Sequence, residues 1–469
     1  MTNWIPDLTG SGPLYQRLAD SIEADIDRGV IGAGAKLPPQ RDLAYDIGAT
    51  VGTVGRAYQL LRERGLVSGE VGRGTYVLGE NIAITKPEAP GASVEGTRYV
   101  DAPKDKLRFD STAAPDIGQG AIVADVLSRA AQDHPHEISS YTRDFPDRWY
   151  EAGARWLSRN SFRPTTDTIV PTLGTHAAVM AAIAALTTPG DYVAFEHLTY
   201  SQISRSAGLI GRRTALVASD DEGLDPADFE RVCAQKHPKM IFLIPTAQNP
   251  TLVTLSPARR EAIARVAREY NVILIEDDLY GHLTDDPTPL LAEFAPERTI
   301  IAGGLSKSVA AGLRGGWLSC PPAYRHRIRV AHKMMTGGMP FLLAEVNARL
   351  VLSGQASEIR KRSIAEIGAR MSIVRESLAG FSFKSHDKVP FVWLTLPDPW
   401  LSGTFKNACL EHGVLIDDED EFKAGRSERV FHGVRFGVSQ PRRREDIAGG
   451  VAVIRRLLDE GRAGYDSFS

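Results

Sequence analysis

Near the start of the chain, Leu14, Leu18, Ile22 and Ile26 recur every fourth residue among charged and polar positions. That spacing predicts an amphipathic helix from about 13 to 28, ended by Gly29. Leu37-Pro38-Pro39 reads as a turn, Gln40 to Ile47 as a short second helix, and Gly48-Ala49 as the sharp bend after it. From Thr50 to Arg64 a third helix carries Val54, Ala57, Tyr58 and Leu61 on one face. Two short β-prone runs then flank a Gly-rich turn between Leu66 and Val77, a hairpin signal. Three helices and a hairpin make a winged helix-turn-helix, assigned to residues 12–78.

Periodicity disappears over 79–107, where Pro87, Pro90 and Pro103 stand among glycines and mixed charges. This is a linker, and about 29 flexible residues would have a root-mean-square span of roughly 30 Å. From 108 to 465, apolar runs alternate with helical stretches. Asp191–Phe195, Met240–Pro245, Val272–Glu276 and Thr299–Ala302 read as short buried strands. His176–Leu186 and Ser256–Tyr270 read as helices, the second with Ser256 as N-cap and Pro257 in its first turn. The alternation predicts an α/β fold, with a mostly parallel sheet covered by helices on both faces. Sites in such sheets lie beyond the carboxyl ends of the strands, and Asn249, Asp277 and Lys307 fall there.

With 469 residues, 43% of them hydrophobic and 24% charged, the chain is expected to be soluble, globular and multidomain. A net charge of −3 gives no general attraction to nucleic acid or membrane, and no apolar run is long enough to span a bilayer. Cys233, Cys320 and Cys409 are too scattered for a disulfide framework or a zinc site, and no metal is expected. Residues 1–7 lack the basic and apolar regions of a signal peptide, so the expected compartment is the cytoplasm. Charge is uneven, however. Acids gather in the first helix at Asp20, Glu23, Asp25 and Asp27, whereas between 36 and 78 basic residues outnumber acidic ones by six to four. Phosphate contacts need such a local excess.

The chemistry concentrates in the second half: Gln248-Asn249-Pro250, Asp277-Asp278-Leu279-Tyr280, Leu305-Ser306-Lys307 and Gly312-Leu313-Arg314-Gly315-Gly316-Trp317. A lysine whose surroundings free its amine forms imines. Asp277 follows the apolar run from Val272 to Ile275. It is either an exposed acid past a strand end or a buried partner for a cationic ring nitrogen. Taken together, residues from about 110 to 460 resemble a fold-type I, pyridoxal 5′-phosphate (PLP)-dependent enzyme of the class I/II aminotransferase family. The resemblance implies that Lys307 carries the PLP imine and Asp277 faces the pyridine nitrogen. It implies Asn249 and Tyr280 as phenolate donors and Ser306 and Arg314 as phosphate contacts. Gly174, Thr175 and His176 would open a helix whose N-terminus seats the phosphate. Tyr200 would stack on the ring and Arg435 would bind an α-carboxylate. Tyr141 would reach the phosphate of a partner subunit, which implies a homodimer.

Three positions depart from the family pattern. Gly304 stands where a hydroxyl residue is frequent, Thr251-Leu252 where Thr-Gly follows Asn-Pro, and Ala152-Gly153 where Leu-Arg is usual. The run Asp417-Asp418-Glu419-Asp420-Glu421 reads as a solvated acidic loop or as a feature favouring an effector with a second, cationic group.

The first eighty residues resemble the GntR superfamily through Pro13-Leu14-Tyr15, the run Leu37 to Ala44, Thr53-Val54, Ala57-Tyr58 and the run Gly72 to Val77. Joined to an aminotransferase-like domain, this is the MocR-type arrangement. By the resemblance, Arg41 contacts the DNA backbone, Thr50 and Thr53 sit near the start of the recognition helix, and Gly72 and Arg73 form the wing tip. Val51 and Gly55 replace frequent arginines, leaving Arg56 as a candidate for base or phosphate. Thr50 reads equally as a plain N-cap. The function implied is a PLP-dependent transcriptional regulator that binds double-stranded operator DNA and senses an amine or amino acid by external aldimine formation. The alternative is a working aminotransferase with an appended reader.

Overall fold

The computed structural model describes residues 4, 6–9, 12–32, 35–64, 66–70, 74–77, 106–427 and 429–468. The chain divides into two compact units, 1–95 and 96–469. The linker expected over 79–107 lies outside the described residues except at Lys106 and Leu107, and Leu107 pairs with Val414.

In the first unit, helices α1 (Leu14–Asp27), α2 (Gln40–Asp46) and α3 (Val51–Glu63) precede strands β1 (Val67–Glu70) and β2 (Gly74–Val77). The strands pair antiparallel, Val67 opposite Val77. Leu18 and Ile22 from α1, Leu43 from α2, and Val54, Ala57, Tyr58 and Leu61 from α3 close one core over Val67 and Val77. The Tyr58 hydroxyl donates to the Pro38 carbonyl at 2.8 Å, so this buried phenol is satisfied. Asp25, one of the four acids gathered in the first helix, is buried and accepts from Trp4 Nε1 at 2.8 Å.

The second unit contains a seven-stranded sheet. Its elements in chain order are β3 (Ile169–Thr172), α4 (Gly174–Leu186), β4 (Tyr192–Glu196), β5 (Arg213–Val217), β6 (Met240–Leu243), α5 (Pro257–Glu269), β7 (Ile273–Asp277), β8 (Thr299–Gly304) and β9 (Gly316–Ser319). Across the sheet the order is β3-β9-β8-β7-β6-β4-β5. The pairings among β4 to β8 are parallel and only β9 runs against its neighbours. Both faces are covered, so the central strands are largely apolar, with Glu196, Glu276 and Asp277 at carboxyl ends. Phe242 packs on the face shared with Ala178 and Val179 of α4, while Ile241 and Leu243 pack with Ile263 and Val266 of α5. The Ser256 side chain caps α5 by accepting from the Arg259 N–H.

A smaller four-stranded sheet follows, with β10 (Phe383–Lys384), β11 (Phe391–Thr395), β12 (Asp417–Asp418) and β13 (Gly433–Gly437) in the order β10-β11-β13-β12. Among the described residues no helix is long and apolar enough to cross a membrane.

Candidate functional site

The segments that leave the carboxyl ends of β4, β6, β7 and β8 line one cavity of about 230 Å³. Thr175, His176, Tyr200, Asn249, Asp277, Tyr280, Ser306, Lys307, Arg314 and Arg435 all border it. The sheet register accounts for much of this convergence. Asp277, last residue of β7, lies opposite Ala302 of β8, which delivers Lys307 five residues further on. Arg435 enters from the smaller sheet, on β13.

Gly174 starts α4 with φ +79°, and Arg314 takes φ +48°, a conformation that costs a non-glycine residue energy. A Cβ built on Gly174 would lie 3.7 Å from Arg314 Cζ. The helix N-terminus and the guanidinium thus meet at one end of the cavity, and together they make a seat for an anion. His176 is held below the usual imidazole range by burial and then by Arg314. Its ring meets Tyr200 edge-on, the centroids 6.0 Å apart.

Asp277 is buried as the last residue of β7, not an exposed loop acid. Burial pushes its carboxyl up to about 7, against the opposing pull of the Leu279 N–H and Lys307. A cationic ring nitrogen would restore its charge. The Lys307 amine donates to Thr112 Oγ1 at 2.9 Å, and that oxygen lies 3.0 Å from the Tyr280 hydroxyl. Asn249 Oδ1 accepts from Arg435 Nη1 at 2.9 Å, which turns the donor end of the amide away from the arginine. The cavity therefore gathers an amine, a buried acid, an amide, a phenol and an anion seat, a set that would suit a phosphorylated heteroaromatic aldehyde.

Two of the three departures have a physical reason. A Cβ on Gly304 would fall 2.6 Å from the Gly315 carbonyl and 3.0 Å from Thr175 Oγ1, so a hydroxyl already occupies that side. A Cβ on Gly153 would fall 2.4 Å from the Trp317 ring, which excludes a larger residue there. Leu252 has no such account: it keeps φ +60°, where glycine is favoured.

Several residues escaped the sequence reading. Thr112 lies 195 positions from the lysine it contacts, and no motif marks it. The acidic run is neither a solvated loop nor an open cation site. Asp417, Glu419 and Glu421 are buried, and each faces a cation, two of them from distant elements and one, Lys423, from just past the run itself. Asp417 pairs with Arg435, Asp418 with Lys406, Glu419 with Lys423 and Glu421 with Arg205. Asp420 remains exposed. Tyr141 stands outside the cavity, 90% exposed.

In the first unit, Thr50 is the N-cap of α3, its Oγ1 accepting from the Thr53 N–H at 3.2 Å. Arg41, Thr50, Val51 and Arg56 are exposed and Thr53 is half-buried. Tyr45, one helical turn beyond Arg41 and 88% exposed, is a surface aromatic the sequence reading passed over. Arg64 is engaged within the unit by Asp20 and Glu23. Gly72 and Arg73 lie outside the described residues.

Residues 105–430 match the family described as aminotransferase class I and II, and residues 14–77 match the bacterial regulatory proteins of the gntR family. An uncharacterized HTH-type transcriptional regulator of Bacillus subtilis, YdeF, is 29% identical over 98% of this chain and 97% of its own. Escherichia coli YdcR, described in the same terms, is 27% identical over 95% of this chain and 99% of its own. The structure of an archaeal alanine:glyoxylate aminotransferase superposes with a TM-score of 0.69, covering 76% of this chain and 91% of that one at 23% identity. The chain belongs to the aminotransferase class I and II family and carries a GntR-type helix-turn-helix domain ahead of it, the MocR-type arrangement.

Proposed function

We propose that the chain is a cytoplasmic, homodimeric transcriptional regulator that binds DNA through residues 12–78 and senses a primary amine in the cavity of residues 108–465. The observation that carries the reading is the joining of a GntR reader to a cavity in which Lys307, Asp277, Asn249, Tyr280 and Arg314 converge. These residues fit PLP. Arg314 and the start of α4, with Ser306 and Thr175 beside them, would hold its phosphate, Asp277 its ring nitrogen, and Asn249 and Tyr280 its phenolate oxygen. Tyr200 would cover the ring, and Tyr141 of each subunit would reach the other's phosphate. When bound, PLP would supply an electrophilic carbonyl carbon that amines attack, and Lys307 would be the protein amine that holds it.

The chain's residues then account for a signal. A Lys307 amine not engaged by the cofactor would have Thr112 as its acceptor. Arg435 borders the space an effector would enter. A ligand shifts a conformational equilibrium only through a difference in affinity for the two states, and these rearranged contacts supply one. Turnover would discard that signal, so the effector should persist in the site.

The test follows absorbance, operator affinity and product formation together, while amines and a keto-acid acceptor are added. Borohydride should fix a pyridoxyl group to Lys307. Lys307→Ala should abolish the response to amines and retain DNA binding. The same cavity also supports the alternative, an aminotransferase with an appended reader. Sustained turnover at an ordinary enzymatic rate, with operator affinity indifferent to every amine, would establish that reading and end ours.

A further inference from the structure

Arg435 is 1% exposed, and its guanidinium is committed within the protein. Nη1 donates to Asn249 Oδ1 at 2.9 Å, while Nη2 donates to the Asp110 carbonyl at 3.1 Å and to Asp417 Oδ2. Asp417, 4% exposed, is its cross-strand partner in the small sheet. Phe391 and Phe422 pack against the guanidinium carbon, with ring centroids at 5.7 and 4.6 Å, so the head group is held in place.

A guanidinium grips a carboxylate through two parallel N–H bonds. It has two such forks, one formed by Nη1 with Nη2 and the other by Nε with Nη2. Both require Nη2, which has only two hydrogens, and here they face Asp110 and Asp417. A ligand carboxylate seeking either fork must drive Asp417 away or crowd beside it. Two carboxylates buried against one arginine repel, and their joint ionisation is disfavoured.

We infer that Asp417 determines the ligand class: its side chain stands in for an α-carboxylate, so the cavity selects primary amines that carry no carboxylate on the nitrogen-bearing carbon. The inference rests on the proposed reading of Lys307 as the imine-forming group and deepens it. It replaces the expected α-carboxylate contact of Arg435 with an internal one.

The experiment uses full-length, cofactor-loaded protein and three matched pairs: butylamine with norvaline, phenethylamine with phenylalanine, and cadaverine with lysine. Absorbance titration gives each Kd, referred to the unprotonated amine. Each amine should bind at least tenfold more tightly than its amino acid. Asp417→Asn should shrink that ratio at least tenfold by opening the arginine to the amino acid. A readout without cofactor comes from sodium propionate, which should raise the melting temperature of cofactor-free Asp417→Asn and leave the wild type unmoved. The wild-type ratios decide the matter even where the variant fails to fold. Ratios below threefold in the wild type, or a ratio unchanged within twofold in a folded Asp417→Asn protein, would overturn the inference. Failure of borohydride to label Lys307 would instead strike the cofactor reading beneath it.

Discussion

Asp277 has an ordinary carboxyl value of 3.8 and is pushed up to about 7 by burial in the folded, cofactor-free protein. Its contribution to stability is therefore fully present below about 3.8 and is lost as pH rises through about 7. Between pH 5 and 6.5 the folded chain keeps a proton that the unfolded chain has released. Over that window the stability of the cofactor-free wild type should fall, relative to Asp277→Asn, by up to about 1.4 kcal/mol per pH unit. Chemical denaturation of the two proteins across the window measures it. Glu196 and Glu276 are raised to about 7 by the same cause, but both proteins contain them, so they cancel in the difference. Loading with PLP should flatten the wild-type dependence, since a ring N–H favours the charged carboxylate. A wild type that tracks Asp277→Asn at every pH would show that this carboxyl titrates normally.

Two elements depend on single positions. The Thr50 side chain satisfies an orphan N–H at the start of α3, and Thr50→Ala should cost about 1 kcal/mol in the first unit. Gly153 lies in the helix Asp147–Leu157, where a Cβ would meet the Trp317 ring at 2.4 Å and Ile169 at 2.6 Å. Gly153→Ala should destabilise the second unit by about 1–3 kcal/mol through overpacking. Because the chain forms two compact units, calorimetry or probe-specific unfolding should register each substitution mainly in its own transition. Thr50→Ala moving the second-unit transition as much as the first would show that the two unfold together.

For the whole molecule, the proposed division of labour sets separable outcomes. Arg41→Ala should weaken binding to most DNA sequences and reduce the salt slope by about one, as a lost phosphate contact does. Operator affinity and slope both unchanged would move the reading surface elsewhere. Light scattering should give twice the chain mass. If the exposed Tyr141 serves the partner's phosphate, Tyr141→Phe should weaken cofactor retention about tenfold, the scale of one hydrogen bond to a charged group. A monomer, or retention unchanged in Tyr141→Phe, would remove that residue from the site.

The sequence by itself determined the elements and the order of the chemistry. Helical periodicity marked Leu18, Ile22, Val54 and Leu61 because a helix face is a local pattern, and both-face burial made the parallel strands largely apolar. Asn249, Asp277 and Lys307 were legible because each comes at or shortly after the end of an apolar strand run. Only the tertiary structure decided what those residues face. Thr112 reaches Lys307 across 195 positions. Within the acidic run, Asp417, Asp418 and Glu421 find Arg435, Lys406 and Arg205 from other elements. Gly304 is bounded by a carbonyl and a hydroxyl from two other elements. Charge pairing and close packing act through space, and a linear pattern carries no distance between residues that the fold alone brings together.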